Sequence, residues 1–250
     1  MTTSKVISQD SSMISKIRPF LYLSGLAPLT PTSLRPFTCV INCVAGLRQI
    51  LPSHLSVLHI PIEDDEGTDL SPYWHIVFRK IDDQKRNGGK VLIFCGMGIS
   101  RSATFVVAYL MCVEKMTLRD AYKEVQNIRN IICPNVGFFK QMIELEEKLY
   151  NQTTVKIITP VNGVEVPDVV WNELYDEMMD DINKNGRRFI INNTSKEILI
   201  KNGLNSSKWN KLLTKIKWIS LMDVWKKKFF RQLILSGILV SGIEHRTKNA

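Results

Sequence analysis

The run Lys90-Val91-Leu92-Ile93-Phe94 ends at Cys95, and six residues further on stands Arg101, followed by Ser102 and an apolar stretch from Ala103 to Val113. Between Cys95 and Arg101 lies Gly96-Met97-Gly98-Ile99-Ser100, uncharged and with two glycines. A short apolar run bounded by turn residues suits a buried strand, and a longer one a buried helix. The stretch therefore reads as a strand, a tight loop and a helix whose N-terminus points into the loop. Unpaired N–H groups and the positive end of the helix dipole favour an anion there. The same field lowers the pKa of a thiol placed in it. A nucleophilic sulfur, a guanidinium fork and a cradle of backbone donors together suit attack on a phosphate ester.

Strand and helix signals alternate around this unit. Phe20-Leu21-Tyr22-Leu23, Cys39-Val40-Ile41 and Val57-Leu58-His59-Ile60 read as further short buried strands. Ser71-Pro72 reads as a helix start, with Ser as N-cap and Pro at the first helical position. Trp74, Val77, Phe78 and Ile81 follow at helical spacing, and Gly88-Gly89 ends the element. The helix after Arg101 is apolar nearly all round, which places it in the middle of the domain. Thr117 with Asp120 resembles a capping box, and Leu118, Ala121, Tyr122, Val125 and Ile128 form a one-sided stripe. A last helix carries Phe138, Met142, Leu145 and Leu149 on one face, with Glu144, Glu146, Glu147 and Lys148 mostly on others. The alternation implies an α/β fold, a central, mostly parallel sheet flanked by helices on both faces. Cys95 then lies at the carboxyl end of a strand, where such sheets bind ligands.

With 44% hydrophobic residues in 250, the chain can bury a sizeable core. Its five cysteines, Cys39, Cys43, Cys95, Cys112 and Cys133, are odd in number and lack CxxC or His-rich spacing. Free thiols in a reducing compartment, cytoplasmic or nuclear, are expected rather than disulfides or a bound metal. Met1 to Lys16 is polar and has no signal-peptide core, and no apolar run reaches the ~20 residues that span a bilayer. The net charge of +9 is uneven: residues 151–250 hold 16 Lys and Arg against 10 Asp and Glu. Asn151-Gln152-Thr153-Thr154, then Pro160, Gly163 and Pro167, read as a linker. The expected organisation is a flexible N-terminus over 1–16, an α/β domain over 17–150, a linker over 151–167 and a basic, mainly helical extension over 168–250.

Cys95-Gly96-Met97-Gly98-Ile99-Ser100-Arg101-Ser102 resembles the signature loop of the cysteine-dependent protein phosphatases, and more narrowly that of the small atypical dual-specificity phosphatases. Leu21-Tyr22-Leu23-Ser24-Gly25 and Pro134-Asn135-Val136-Gly137-Phe138-Phe139 with Gln141 match the same family, so the likeness runs from about Ile17 to Tyr150. The resemblance implies a protein tyrosine phosphatase-like fold. It also implies two-step hydrolysis without metal or cofactor, through a phosphocysteine on Cys95, of phosphotyrosine and phosphoserine or phosphothreonine in proteins. The phosphate would be bound by Gly96, Met97, Gly98, Ile99, Ser100 and Arg101. Glycines let the backbone close around an anion, and the Arg101 fork matches phosphate oxygens in a way a lysine cannot. The family's general acid is an Asp on an upstream loop that follows a strand. Asp64 matches it, within Ile62-Glu63-Asp64-Asp65-Glu66-Gly67, and Asp65 is its nearest competitor. Glu63, Glu66 and Asp69 read as solvated loop charges, and Asp82 and Asp83 as charges at the solvent end of a helix. By the same resemblance the Ser102 hydroxyl donates to the thiolate and Asn135 packs under the signature loop. Cys39, Cys43, Cys112 and Cys133 read as core thiols.

One position departs from the family pattern. A His usually precedes the catalytic cysteine, and here that residue is Phe94. Phe cannot donate the hydrogen bond by which that His orders the loop and depresses the thiol pKa. A second reading is therefore a catalytically weak scaffold that binds phosphorylated partners. A third directs the same chemistry at phosphoinositides or RNA 5′-phosphates. A sulfurtransferase also sets a loop cysteine beside Arg, but it needs no Asp64, and the segment from Pro134 to Phe138 speaks against it. In the extension, Trp171 to Ile182 is helix-compatible, and short strands are expected at 189–191 and 198–200. Trp209, Leu212, Leu213, Ile216, Ile219 and Leu221 recur among Lys208, Lys211, Lys215 and Lys217, ahead of Lys226-Lys227-Lys228. That pattern suits a basic amphipathic helix lying on an anionic membrane or binding a protein partner, while the plainer reading is a solvated helical extension packing loosely on the α/β domain or a poorly ordered tail. It lacks the aromatic interleaving of a nucleic-acid platform, so nucleic acid is not an expected partner.

Overall fold

The computed structural model describes residues 13–46, 51–161, 164–173, 191–192 and 197–198. Five short strands form its main sheet: β1 (Ser15–Arg18), β2 (Leu21–Ser24), β3 (Cys39–Asn42), β4 (Ser56–His59) and β5 (Val91–Phe94). Their order is β1-β2-β5-β3-β4, with only β1 antiparallel to its neighbour. All four residues of β3 and of β5 are buried. That is why β5, and β3 up to Asn42, read as continuous apolar runs rather than as alternating ones. The register sets Asn42, Phe94 and Ser24 side by side at the carboxyl end of the three central strands.

Five helices accompany the sheet: α1 (Pro31–Leu34), α2 (Trp74–Arg86), α3 (Arg101–Glu114), α4 (Leu118–Ile128) and α5 (Val136–Tyr150). As the all-round apolar pattern implies, α3 is buried continuously from Arg101 to Met111. It packs on β2 and β5 and against α2, α4 and α5. The contact between α2 and α3 is pinned by a bond from the Tyr109 hydroxyl to Asp82 Oδ1 (2.8 Å). Asp82 is thus an inter-helix tie rather than a solvent charge.

Several boundaries differ from the sequence reading for identifiable reasons. The domain starts earlier than residue 17, because Ser15–Arg18 forms the edge strand β1, with Ser15 and Ile17 buried and Lys16 exposed. Ser71 caps no helix. It opens a 3₁₀ turn (Ser71–Tyr73), and its N–H donates to Asp69 Oδ1 (2.8 Å). Thr117 does cap α4, accepting from the Asp120 N–H at 3.1 Å. The Asp120 carboxylate accepts from the Thr117 hydroxyl (2.7 Å).

The stretch expected to be a linker is a β-hairpin, β6 (Ile157–Val161) and β7 (Val164–Pro167), and residues 168–173 are helical. Val155, Val166, Val169 and Trp171 are all buried. Pro160 and Pro167 lie within the paired strands, an arrangement that composition alone does not separate from a linker. Glu146, four residues after the buried Met142, is itself fully buried. Its carboxylate accepts from the N–H groups of Leu118 and Thr154 (2.7 Å each) and from the Thr154 hydroxyl (2.7 Å). Arg119 of α4 completes the latch, donating twice to the Thr154 carbonyl (2.9 and 2.6 Å) and once to Asp168 Oδ2 (2.7 Å). Beyond it, β8 (Ile191–Asn192) and β9 (Glu197–Ile198) pair antiparallel. The basic amphipathic segment from Lys208 onward and the N-terminal residues 1–12 lie outside the described residues.

Replacing Glu146 with Met keeps the side-chain volume but strands the buried Leu118 N–H and the half-buried Thr154 N–H. Unmet buried donors cost about 1–3 kcal/mol each. Urea unfolding of the intact chain should show Glu146→Met destabilised by about 2–4 kcal/mol, with a midpoint clearly below that of the parent.

Candidate active site

The loop between β5 and α3 is held open toward one side by the way its carbonyls are used. Gly96 O accepts from Leu26 N (3.1 Å), Ile99 O from Cys133 N (2.9 Å) and Ser100 O from both the N–H and the hydroxyl of Thr104 (2.9 Å each). The carbonyls of Met97 and Gly98 accept from one guanidinium, Arg129 Nη2 (3.0 Å) and Nε (2.8 Å). Five consecutive carbonyls are therefore bonded to groups other than an incoming ligand, and none is left to repel an anion. Amides arranged in this way make a concave anion nest at a helix N-terminus. Gly98 is required at its position, since its φ is +68° and a Cβ there would sit 2.4 Å from the Ser24 carbonyl carbon.

The sulfur of Cys95 lies inside this nest and is buried. It accepts from the Gly98 N–H (3.2 Å) and the Ser102 hydroxyl (3.1 Å). Burial is the largest influence on its pKa and pushes it up. The Arg101 charge and the hydrogen bonds from Ser102 oppose it, Asp64 adds a smaller upward push, and the net position is below that of an ordinary thiol. Other cysteines go the opposite way. Burial pushes Cys39 and Cys112 up to about 11, and burial followed by the adjacent Cys95 pushes Cys43 well above the usual range. Thiolates are the nucleophilic form, so among these four cysteines the field singles out Cys95. Cys112 and Cys133 are only partly buried, while Cys39 and Cys43 are core residues as expected.

Arg101, 6% exposed, is the first residue of α3. Its Nη1 donates to Ile62 O (3.1 Å), and its Nε stands 3.7 Å from Asp64 Oδ2. Nε is buried with no hydrogen-bond partner among the described residues. A buried donor left in that state fits an oxyanion as its partner. Asp64 is brought to this spot, its Oδ1 accepting from the Ser100 hydroxyl (2.6 Å) and from Asn135 Nδ2 (3.0 Å). Asp65 is exposed, and its Oδ1 accepts from the Gly67 N–H within its own turn (2.8 Å). Geometry thus separates the two acids that the sequence left as competitors. Asn135 is more than a packing residue, since its Oδ1 also caps α5 by accepting from Phe138 N (2.9 Å).

The sequence reading missed Arg129. The residue is fully buried below the loop, and besides Met97 and Gly98 it bonds Met13 O (3.0 Å) and Ser15 Oγ (3.3 Å). Burial lowers its pKa, and the charge of Cys95 opposes that by raising it. A signal was available: Arg129 stands four residues after Val125, just past the end of α4, where it continues the apolar stripe rather than the solvent face. Arg129→Met should free both carbonyls to rotate inward. A displacement of about 1 Å in such a site costs on the order of 100-fold. The kcat/KM for an aryl phosphate should fall by about that factor, and competitive inhibition by inorganic phosphate should weaken in parallel.

The model for the dual specificity phosphatase catalytic domain matches residues 20–148, slightly more than half of the chain. The chain is 34% identical over 139 residues to human dual specificity protein phosphatase 14, covering 56% of this chain and 70% of that protein. It is 50% identical over 187 residues to a Caenorhabditis elegans protein, ZK757.2, covering 75% of this chain and 64% of its relative, just under two thirds of that protein's length. A match of 187 residues is longer than residues 1–150, so this likeness continues into the segment latched by Glu146. The crystal structure of human DUSP28 superposes with a TM-score of 0.52 at 27% identity, over 54% of this chain and 94% of that one. The cradle around Cys95 and these likenesses agree, and the chain belongs to the dual specificity phosphatase family.

Proposed function

We propose that this chain hydrolyses phosphotyrosine and phosphoserine or phosphothreonine in proteins through a phosphocysteine on Cys95. The observation that carries the reading is a thiol with two hydrogen-bond donors on its sulfur and a depressed pKa, in a loop whose carbonyls are all engaged elsewhere. In the first step the Cys95 thiolate attacks phosphorus, and the bond to the leaving oxygen breaks as Asp64 gives that oxygen its proton. Arg101 and the loop amides hold the three non-bridging oxygens. In the second step water attacks the phosphocysteine and passes a proton to the Asp64 carboxylate. The P–S bond breaks, with the Ser102 hydroxyl supporting the departing thiolate, and inorganic phosphate leaves.

The scaffold alternative rests on Phe94, but donors from Gly98 and Ser102 reach the sulfur without any contribution from residue 94. Both protein-phosphate classes are included because the matching family model is that of the dual specificity phosphatase catalytic domain. Free thiols at Cys39 and Cys43 fit a reducing compartment, cytoplasm or nucleus.

Cys95→Ser should lose turnover of phosphopeptides while still binding them, because Arg101 and the loop amides remain. Asp64→Asn should slow phenyl phosphate on the order of 100-fold more than a substrate with a strongly acidic phenol as leaving group, because only the former needs a proton in the transition state. Measurable turnover by the serine variant, or equal losses on both substrates for Asp64→Asn, would count against these roles.

A further inference from the structure

The segment from Ile62 to Leu70 has little structure of its own. Within it are the Asp65–Gly67 turn bond and one backbone bond from Thr68 N to Asp65 O (3.2 Å). Nevertheless it is held at several points by other elements, and most of these belong to the start of α5. Asn135 Nδ2 and the Ser100 hydroxyl both donate to Asp64 Oδ1. Gly137 lies directly against the backbone at Glu66, so close that a Cβ would sit 1.9 Å from the Glu66 carbonyl oxygen. Gln141, one helical turn later, grips the far end with both ends of its amide. Its Nε2 donates to Thr68 O (2.8 Å), and its Oε1 accepts from Leu70 N (2.7 Å).

The orientation of each group in this clamp is forced. Because Asn135 Oδ1 is committed to the Phe138 N–H as the α5 cap, its Nδ2 must face Asp64. The Ser100 hydroxyl accepts from the Asn135 N–H (3.2 Å), so its own proton goes to Asp64 (2.6 Å). Two donors thus converge on Oδ1, which disfavours a proton there. That puts the proton on Oδ2, which stands 3.7 Å from Arg101 Nε.

We propose that Ser100, Asn135 and Gln141 are positioning residues that fix Asp64 with Oδ2 as the proton-donating oxygen. Gly137 supplies the close approach that lets α5 act as the support. The proposal rests on the reading of Asp64 as general acid. It gives Ser100 a role at the acid in addition to its backbone place in the phosphate nest, and it gives Gln141 a role at the acid loop.

The test is the dependence of kcat/KM on leaving-group pKa across a series of aryl phosphates, measured for the full chain. Ser100→Ala, Asn135→Ser and Gln141→Met are compared with Asp64→Asn. Serine is as good an N-cap as asparagine, so Asn135→Ser keeps the α5 cap but is too short to reach Asp64 as well. Thermal melts of Asn135→Ser and Ser100→Ala serve as the folding control. All three variants should steepen the dependence, losing about tenfold more on the poorest leaving group than on the best, with Asp64→Asn as the upper limit. Added to Asp64→Asn, each should leave the slope unchanged, since it acts through that carboxylate. A steep slope for Asp64→Asn with wild-type slopes in the other three would overturn the clamp and leave the acid assignment standing. A wild-type slope for Asp64→Asn itself would overturn both.

Discussion

Five carbonyl groups that point away from Cys95 are the condition on which the rest of this site depends. An amide chain offers one acceptor for every donor, so a loop can cradle an anion only if its acceptors are engaged elsewhere. Here they are engaged by groups from four places: Leu26 after β2, Thr104 within α3, Cys133 before α5, and the Arg129 guanidinium at the end of α4. A buried cation under a buried thiolate is costly for each group alone. Together with the carbonyl dipoles they form a site already polarised for charge, which is the arrangement that spares reorganisation when a phosphate arrives.

The same dependence links the centre to parts of the chain far from it in sequence. Arg129 holds the loop from α4, and α4 is in turn tied through Arg119 and the Leu118 N–H to Thr154, Asp168 and Glu146. The hairpin segment beyond Tyr150 is thus bonded to the helix that shapes the phosphate nest. Phe94 fits the picture as a packing residue. It is fully buried between Ser24 and Asn42 in register, at the centre of the sheet, while the sulfur next to it takes its hydrogen bonds from Gly98 in the loop and Ser102 at the start of α3.

What could be read from the sequence was what periodicity and local motif encode. β5 is an unbroken apolar run and β3 and α3 are nearly so, and the loop between β5 and α3 has the glycines, and the start of α3 the arginine, that an anion site needs. Residues that break a pattern were read less well. Glu146 stands on the apolar stripe of α5 and Arg129 continues that of α4 just past its end, and a charge at such a position is ordinarily assigned to solvent. β1 was missed because Ser15, Lys16 and Arg18 dilute its one large apolar residue, Ile17. The choice of Asp64 over Asp65 came from family resemblance, and only the folded geometry supplied its physical basis, in two donors from residues 36 and 71 positions away.

The central claim is that this loop keeps Cys95 charged although it is buried, and it is tested most directly by titrating that one sulfur. Iodoacetamide labelling of Cys95, followed by mass spectrometry across pH, reports the thiolate fraction without needing a substrate. The account predicts a midpoint below the ~8.5 of a free cysteine, moving upward in Ser102→Ala, where one of the two donors to the sulfur is lost. A midpoint at or above the free value, as burial without compensation would produce, would contradict it.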